Sequence, residues 1–123
     1  MISIVDDDPA VRRALHNLMV TAGFAAEAFA SAEDFLASQR MPATTCLILD
    51  VHMGGIDGLE LQRRLRDAGW KVPIIFISAH GDGVREQALQ GGALAFFSKP
   101  FRTEALLDAV EAASGRPTPA AGG

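Results

Sequence analysis

A regular alternation of short apolar runs with longer amphipathic stretches limits the fold of this chain more than any other feature of its sequence. The apolar runs lie at residues 1–5, 24–29, 45–50, 72–77 and 94–97, and a stretch with helical spacing of apolar residues follows each one. Alternation of this kind produces a parallel sheet with helices on both faces, because each crossover must be right-handed. We therefore predict an α/β domain with five strands and five helices.

The third apolar run ends on a carboxylate, Asp50. The four apolar residues before it, 46–49, are typical of a strand that is buried on both faces. An aspartate inside such a strand would be unpaired and costly, so we expect Asp50 at the carboxyl end of the strand, facing a crevice. The glycine-rich run 54–58 then forms a turn before the third helix. We expect the function of the chain to depend on Asp50.

Polar residues and glycines mark the predicted ends of the helices. Asp8 is expected to cap the first helix, with Pro9 at the first helical position, where its missing N–H costs nothing. Gly23 is expected to end that helix in the left-handed conformation. The other predicted N-caps are Ser31, which resembles a capping box with Asp34, then Asp57 and Thr103.

Size and charge narrow the class of protein. The 123 residues suffice for one domain with a single core, and 49% of them are apolar, as expected for a folded protein. The net charge of −4 argues against non-specific binding to nucleic acid or to an anionic membrane. We find no membrane span or secretory signal in the sequence. The single cysteine, Cys46, suits a reducing cytoplasm and is expected to pack in the core. We assign residues 1–114 to the domain and expect 115–123 to be a flexible linker or tail.

Polar side chains stand at the predicted carboxyl ends of four strands: Asp6 and Asp7, then Asp50, Ser78 and Lys99. The ligand crevice of an open α/β sheet lies outside these ends, so the five side chains are expected to converge. Three neighbouring carboxylates repel one another unless a cation intervenes, and an all-oxygen ligand set suits Mg²⁺. Lys99 adds a positive charge for an anion, and Ser78 adds a hydroxyl donor. The combination indicates phosphoryl transfer by positioning and charge neutralisation.

These residues lie in motifs that resemble the receiver domain of two-component response regulators. In chain order the motifs are Val5-Asp6-Asp7-Asp8, Leu49-Asp50-Val51-His52-Met53, Asp57-Gly58-Leu59-Glu60-Leu61, Ile77-Ser78-Ala79-His80, Gly92-Ala93 with Phe96, and Lys99-Pro100-Phe101. The resemblance covers essentially residues 1–114 and implies a flavodoxin-like parallel sheet with strand order 2-1-3-4-5. Ser31-Ala32-Glu33 and His80-Gly81-Asp82 resemble the FixJ subfamily in particular.

The resemblance implies roles at the acidic cluster. Asp50 is the phosphoacceptor, which takes a phosphoryl group from a sensor histidine kinase and becomes an acyl phosphate, and Lys99 pairs with that group. Asp7 and Asp50 bind Mg²⁺ directly. Asp6 lies nearby and usually acts through water, and the main-chain carbonyl of His52 is a further ligand.

The resemblance also implies a switch. Ser78 turns its hydroxyl toward the phosphoryl oxygens and Phe96 repacks, while Phe97 is expected in the core. This biases the face of the fourth helix, fifth strand and fifth helix, which in relatives serves dimerisation or output. The bond between Lys99 and Pro100 is expected to be cis. The chain would thus be a signalling switch and not a metabolic enzyme.

Transcription would be regulated through a C-terminal DNA-binding domain that this chain does not contain. The alternative is a stand-alone receiver that acts as an adaptor or phosphate sink.

Two other classes of protein use similar sheets. A phosphatase of the haloacid dehalogenase type requires a second acid where this chain has His52, and a flavodoxin-type module requires a hydroxyl-rich loop where this chain has three aspartates.

The chain departs from the family pattern after Met53, where Gly54-Gly55 replaces the usual proline. Two glycines loosen a loop that normally has one fixed φ angle, so we expect a less ordered loop and an altered rate of phosphorylation. His52 and His80 lie two residues after Asp50 and Ser78. One hypothesis is that they line the approach of the water that removes the phosphoryl group; the alternative is that they are simply solvated.

Overall fold

The computed structural model describes residues 1–79 and 83–115, which form a parallel sheet. Its strands are β1 (Ile2–Val5), β2 (Ala26–Phe29), β3 (Cys46–Asp50), β4 (Ile74–Ser78) and β5 (Ala95–Ser98). They are arranged in the order β2-β1-β3-β4-β5, and every neighbouring pair is parallel. The predicted fold and strand order are confirmed.

Five α-helices connect and flank the strands within the described residues. They are α1 (Pro9–Thr21), α2 (Ala32–Ala37), α3 (Gly58–Asp67), α4 (Arg85–Gln90) and α5 (Thr103–Ser114), and a short 3₁₀-helix, Met41–Ala43, precedes β3. Among the residues that the structure describes, no helix is long and apolar enough to cross a membrane. The predicted tail, apart from Gly115, lies outside the described residues.

Two apolar clusters hold the helices against opposite faces of the sheet. Leu47 and Leu49 of β3 pack with residues of α2, α3 and α4, while Cys46 and Ile48 pack with residues of α1 and α5. The alternation follows from the period-2 geometry of a strand. Burial raises the pKa of the Cys46 thiol to about 12, which is consistent with the packing role predicted for it.

Most predicted helix ends are confirmed. The carboxylates of Asp8 and Asp57 accept hydrogen bonds from the N–H groups of Ala10 (2.9 Å) and Glu60 (2.8 Å), and the Ser31 hydroxyl accepts from Asp34 N–H (3.0 Å). Gly23 follows α1 with a left-handed φ of 98°.

Several predicted boundaries are wrong; β4, for example, begins at Ile74 and not at Val72. Hydrogen bonds explain two other cases. Thr103 is the first residue of α5 and not its cap, because the carbonyl of Arg102 already accepts the N–H of Leu106 at 3.2 Å. β2 begins at Ala26 and not at Phe24, because the N–H of Phe24 donates to the Met19 carbonyl and closes the end of α1.

Candidate metal and phosphoacceptor site

The carboxyl edge of the sheet gathers the predicted polar residues. Asp50 is the last residue of β3 and Ser78 is the last residue of β4, and both side chains are buried. Asp6 directly follows β1 and is also buried, whereas Asp7 is exposed. The parallel register pairs Val5 with Leu49, so the ends of β1 and β3 lie side by side.

Three carboxylates form a compact acidic cluster at this edge. Asp6, Asp7 and Asp50 each offer an oxygen, and these oxygens all lie within 4.8 Å of one another. One oxygen of Asp6, Oδ1, accepts the N–H of Asp8 at 2.9 Å. The other, Oδ2, is buried and has no hydrogen-bond partner among the described residues. Buried carboxylate oxygens are normally paired, so Oδ2 marks a position that a ligand can complete.

The electrostatics of the cluster disfavour three negative charges. Burial, reinforced by the negative charge of Asp6, raises the pKa of Asp50 from 3.8 to about 6. The positive charge of Lys99 and a hydrogen bond from the backbone of His52 act in the opposite direction. Burial also raises the pKa of Asp6. The free cluster therefore attracts positive charge, as a cation or as protons.

Lys99 supplies positive charge from the neighbouring side. Its Nζ lies 3.6 Å from Oδ2 of Asp6, beyond hydrogen-bond distance, and the Lys99 side chain is partly exposed. The backbone N–H of Lys99 donates to the Ser78 carbonyl at 2.8 Å, which joins the ends of β4 and β5. The bond between Lys99 and Pro100 is cis, as expected.

The donor set fits a hard divalent cation. It consists of carboxylate oxygens from Asp6, Asp7 and Asp50, and one of those oxygens is buried without a hydrogen-bond partner among the described residues. Mg²⁺ prefers such oxygen ligands and normally keeps several waters. Asp7 is exposed, so the cluster is open to solvent on that side and water can reach the ion. The predicted Mg²⁺ is thus compatible with the residues present.

The loop after Asp50 is closed tightly at its base. The N–H of Gly58 donates to the Val51 carbonyl at 2.9 Å, and a β-carbon on Gly58 would overlap the carbonyl oxygen of Asp50. Only glycine allows α3 to begin this close to the acceptor strand. His52 lies within the loop and its side chain is exposed, and both hypotheses for it stay predictions; His80 lies outside the described residues.

The two phenylalanines of β5 both pack against the core, on opposite faces of the sheet. Phe96 is only 4% exposed and packs against Phe76, with ring centroids 6.2 Å apart. Phe97 is half-buried and packs on the opposite face near Phe101. The residue expected to switch is therefore the more deeply buried one. Its carbonyl accepts a hydrogen bond from Arg85 Nη1 of α4 at 3.0 Å.

Sequence reasoning missed two contacts with the loops of the site. Arg12 of α1 donates from Nη1 to the Asp6 carbonyl at 2.8 Å. This contact could have been predicted from the position of Arg12 one turn after the Asp8 cap, because that turn faces the end of the preceding strand. Glu33 of α2 accepts the N–H of Ile56 at 3.3 Å. No local pattern indicates this contact, since the two residues are 23 positions apart.

The fold and this acidic edge define a receiver domain. The response regulator receiver domain family matches residues 2–111, and the chain belongs to it.

Known relatives agree with this assignment. The response regulator protein TodT of Pseudomonas putida is 48% identical over 114 residues, which are 92% of this chain and 50% of TodT. The transcriptional regulatory protein FixJ of Bradyrhizobium diazoefficiens is 36% identical over 121 residues, or 98% of this chain and 59% of FixJ. The chain thus spans about half the length of the curated relatives it matches.

Solved structures show the same fold. A crystal structure of FixJ-N has a TM-score of 0.83 at 36% identity and covers 92% of this chain and 91% of that one. A receiver protein from Burkholderia phymatum has a TM-score of 0.81 at 44% identity, with 94% of both chains covered. The predicted resemblance to receivers, including FixJ, is confirmed.

Proposed function

We propose that the chain is a phosphorylation switch whose acceptor is Asp50, with Mg²⁺ held by Asp7 and Asp50 directly, by Asp6 through water and by the main-chain carbonyl of His52. The observation that carries the proposal is the buried Oδ2 of Asp6, which has no hydrogen-bond partner among the described residues. It lies within a cluster of three carboxylates, 3.6 Å from the Lys99 ammonium. A purely structural cluster would pair this oxygen.

In the proposed reaction a carboxylate oxygen of Asp50 forms a bond to phosphorus while the bond between phosphorus and the donor's histidine nitrogen breaks. Lys99 pairs with the phosphoryl oxygens, and moves to them from Asp6. Bound Mg²⁺ supplies charge neutralisation for the transferred group. The His52 backbone N–H keeps the Asp50 carboxylate oriented, since it already bonds to it. Water later hydrolyses the acyl phosphate, so the chain assists its own modification without being a metabolic enzyme.

Ser78 and Phe96 are the proposed switch residues. Ser78 is fully buried at the end of β4, and its carbonyl is bonded to the backbone of Lys99, so movement of one strand end is transmitted to the other. The buried Phe96 lies under α4, whose Arg85 bonds to its carbonyl. A homodimer or output surface on α4, β5 and α5 is the proposed target of the change.

The relatives support a wider proposal. We propose a sensor histidine kinase as phosphoryl donor, residues 1–114 as the receiver, a cytoplasmic location and transcriptional output through a DNA-binding domain outside this chain. The names of TodT and FixJ, a response regulator and a transcriptional regulatory protein, support this output. A stand-alone adaptor remains the alternative outcome, and the downstream gene sequence separates the two.

Intact-protein mass spectrometry after incubation with acetyl phosphate tests the acceptor. Wild type should gain one phosphoryl group with Mg²⁺ and almost none with a chelator, and Asp50→Ala should gain none. Asp8→Asn is the matched control, because it neutralises the neighbouring acid while Asn still caps α1, and it should be modified normally. Equal modification of Asp50→Ala and wild type would exclude Asp50.

A beryllofluoride adduct tests the switch separately. Backbone amide spectra should change at Ser78, Phe96 and α4 when Mg²⁺ and beryllofluoride are added together. Spectra that change only around Asp50 would reject the switch while leaving the acceptor in place.

A further inference from the structure

The loop between β3 and α3 is connected to α2 through one side chain, Glu33. Its carboxylate oxygen Oε2 accepts the N–H of Ile56 at 3.3 Å, across a separation of 23 residues. The loop also contains His52, whose backbone bonds to the Asp50 carboxylate. Glu33 therefore contacts the segment that positions backbone groups around the acceptor, although it lies on a different helix.

The two glycines of this loop have different local requirements. Gly55 has a left-handed φ of 74°, and a β-carbon there would come within 2.5 Å of Glu33 Oε2. Glycine at 55 thus suits both the backbone and the close approach of the carboxylate. At Gly54 a β-carbon would meet nothing within 4 Å, and its φ is not in the left-handed region. Gly54 adds backbone freedom without a steric need for it.

Glu33 projects from a firmly held helix. The Ser31 hydroxyl caps α2, and Phe35, one turn later, is fully buried. The ring of Phe35 packs edge-to-face on Phe29, at 5.4 Å between centroids, and on Trp70, at 6.1 Å. Because α2 is fixed by this packing, the Glu33 carboxylate can restrain the loop that it contacts.

We infer that Glu33 is a positioning residue for phosphorylation, which holds the Gly54-Gly55 loop in the conformation that presents the His52 backbone to Asp50. It replaces the restriction that a proline at position 54 would impose. This inference rests on the proposed role of Asp50. Glu33 touches neither the phosphoryl group nor the metal; it acts through the backbone of Ile56.

The test compares the rates of acetyl phosphate modification of variants at saturating Mg²⁺. Glu33→Ala should be slower by about fivefold, the equivalent of one hydrogen bond. Glu33→Gln should remain within twofold of wild type, because the amide oxygen can still accept the Ile56 N–H. Asp34→Ala is the matched control: it removes the same charge from the same turn, and the Asp34 side chain makes no hydrogen bond or ion pair with a described residue.

A second pair of variants separates positioning from a general loss of stability. In a Gly54→Pro background the loop is already restricted, so Glu33→Ala should change the rate by less than twofold. Amide exchange at Ile56 should accelerate in Glu33→Ala and return toward wild type in Glu33→Gln.

Three results would overturn the inference: an unchanged rate in Glu33→Ala, an equal loss in Asp34→Ala, or an undiminished loss in the Gly54→Pro background. A wild type that is never modified would instead reject the proposed function itself.

Discussion

The amino and carboxyl ends of β1 and β3 bury polar groups in contrasting ways. Near the amino ends, the Thr44 hydroxyl donates to the Arg40 carbonyl at 2.8 Å and accepts the Ser3 hydroxyl at 2.7 Å. Both hydroxyls are buried and bonded. At the carboxyl ends, Asp6 and Asp50 are also buried, but one oxygen of Asp6 has no hydrogen-bond partner among the described residues. We therefore propose that polar burial at the amino ends completes the fold, whereas polar burial at the carboxyl ends provides for a ligand.

The largest effect is expected at the carboxyl ends of β1 and β3, from a substitution of Asp6. Asp6→Asn keeps an oxygen that can accept the Asp8 N–H but removes a buried negative charge. Because burial already disfavours that charge, we expect the metal-free protein to gain unfolding free energy. Phosphorylation by acetyl phosphate should fall by about 10- to 100-fold, as for other residues that support a metal site.

Denaturant unfolding in a chelator and the modification rate measure these two effects. Stability and rate should move in opposite directions, as is common at functional sites. A variant that loses both, or keeps its rate, would show that Asp6 is an ordinary structural residue.

A second effect is expected from pH, again in the metal-free protein. The folded-state pKa of Asp50 is about 6, above its ordinary value of 3.8. The folded state therefore holds the proton more tightly than the unfolded state, and this stabilisation is lost as pH rises from about 4 through 6. The shift from 3.8 to about 6 corresponds to about 3 kcal/mol.

The difference in unfolding free energy between wild type and Asp50→Asn isolates this contribution from the other acids. Asn does not titrate, so the unfolding free energy of wild type should fall relative to that of Asp50→Asn as pH rises. A difference that stays constant from pH 4 to 7 would contradict the raised pKa.

The smallest effect is expected at the amino ends of β1 and β3, where the buried hydroxyls are hydrogen-bonded. Ser3→Ala removes one buried hydrogen bond and should cost about 1 kcal/mol of unfolding free energy. The phosphorylation rate should stay within twofold of wild type, since the Thr44 hydroxyl keeps its bond to Arg40. A large loss of rate in a folded Ser3→Ala protein would refute the division between the two ends.

The sequence allowed the strand order and the acidic edge to be predicted for specific reasons. The order came from the resemblance to receivers, and the place of Asp50 came from the cost of a carboxylate inside a buried strand. Asp8 and Asp57 were recognisable because capping depends on backbone groups only two or three residues away.

The contacts that were missed are set by tertiary structure. The bonds from Glu33 to Ile56 and from Ser3 to Thr44 join residues 23 and 41 positions apart, and their local sequences carry no signal. Thr103 was misassigned because Thr suits an N-cap and a first helical residue, and the choice depends on which carbonyl the Leu106 N–H reaches. Phe96 and Phe97 pack in different clusters because adjacent residues of a strand face opposite layers.

The most direct test of the central claim is the change in unfolding free energy that Mg²⁺ produces, followed by the fluorescence of Trp70, the single tryptophan. Mg²⁺ at a hundredfold excess over its dissociation constant should stabilise wild type and Ser3→Ala alike by about 2.7 kcal/mol. Asp7→Asn should lose most of this gain, with ionic strength held constant. If Mg²⁺ leaves wild type unchanged, or stabilises Asp7→Asn equally, the acidic edge is not a metal site and the account fails.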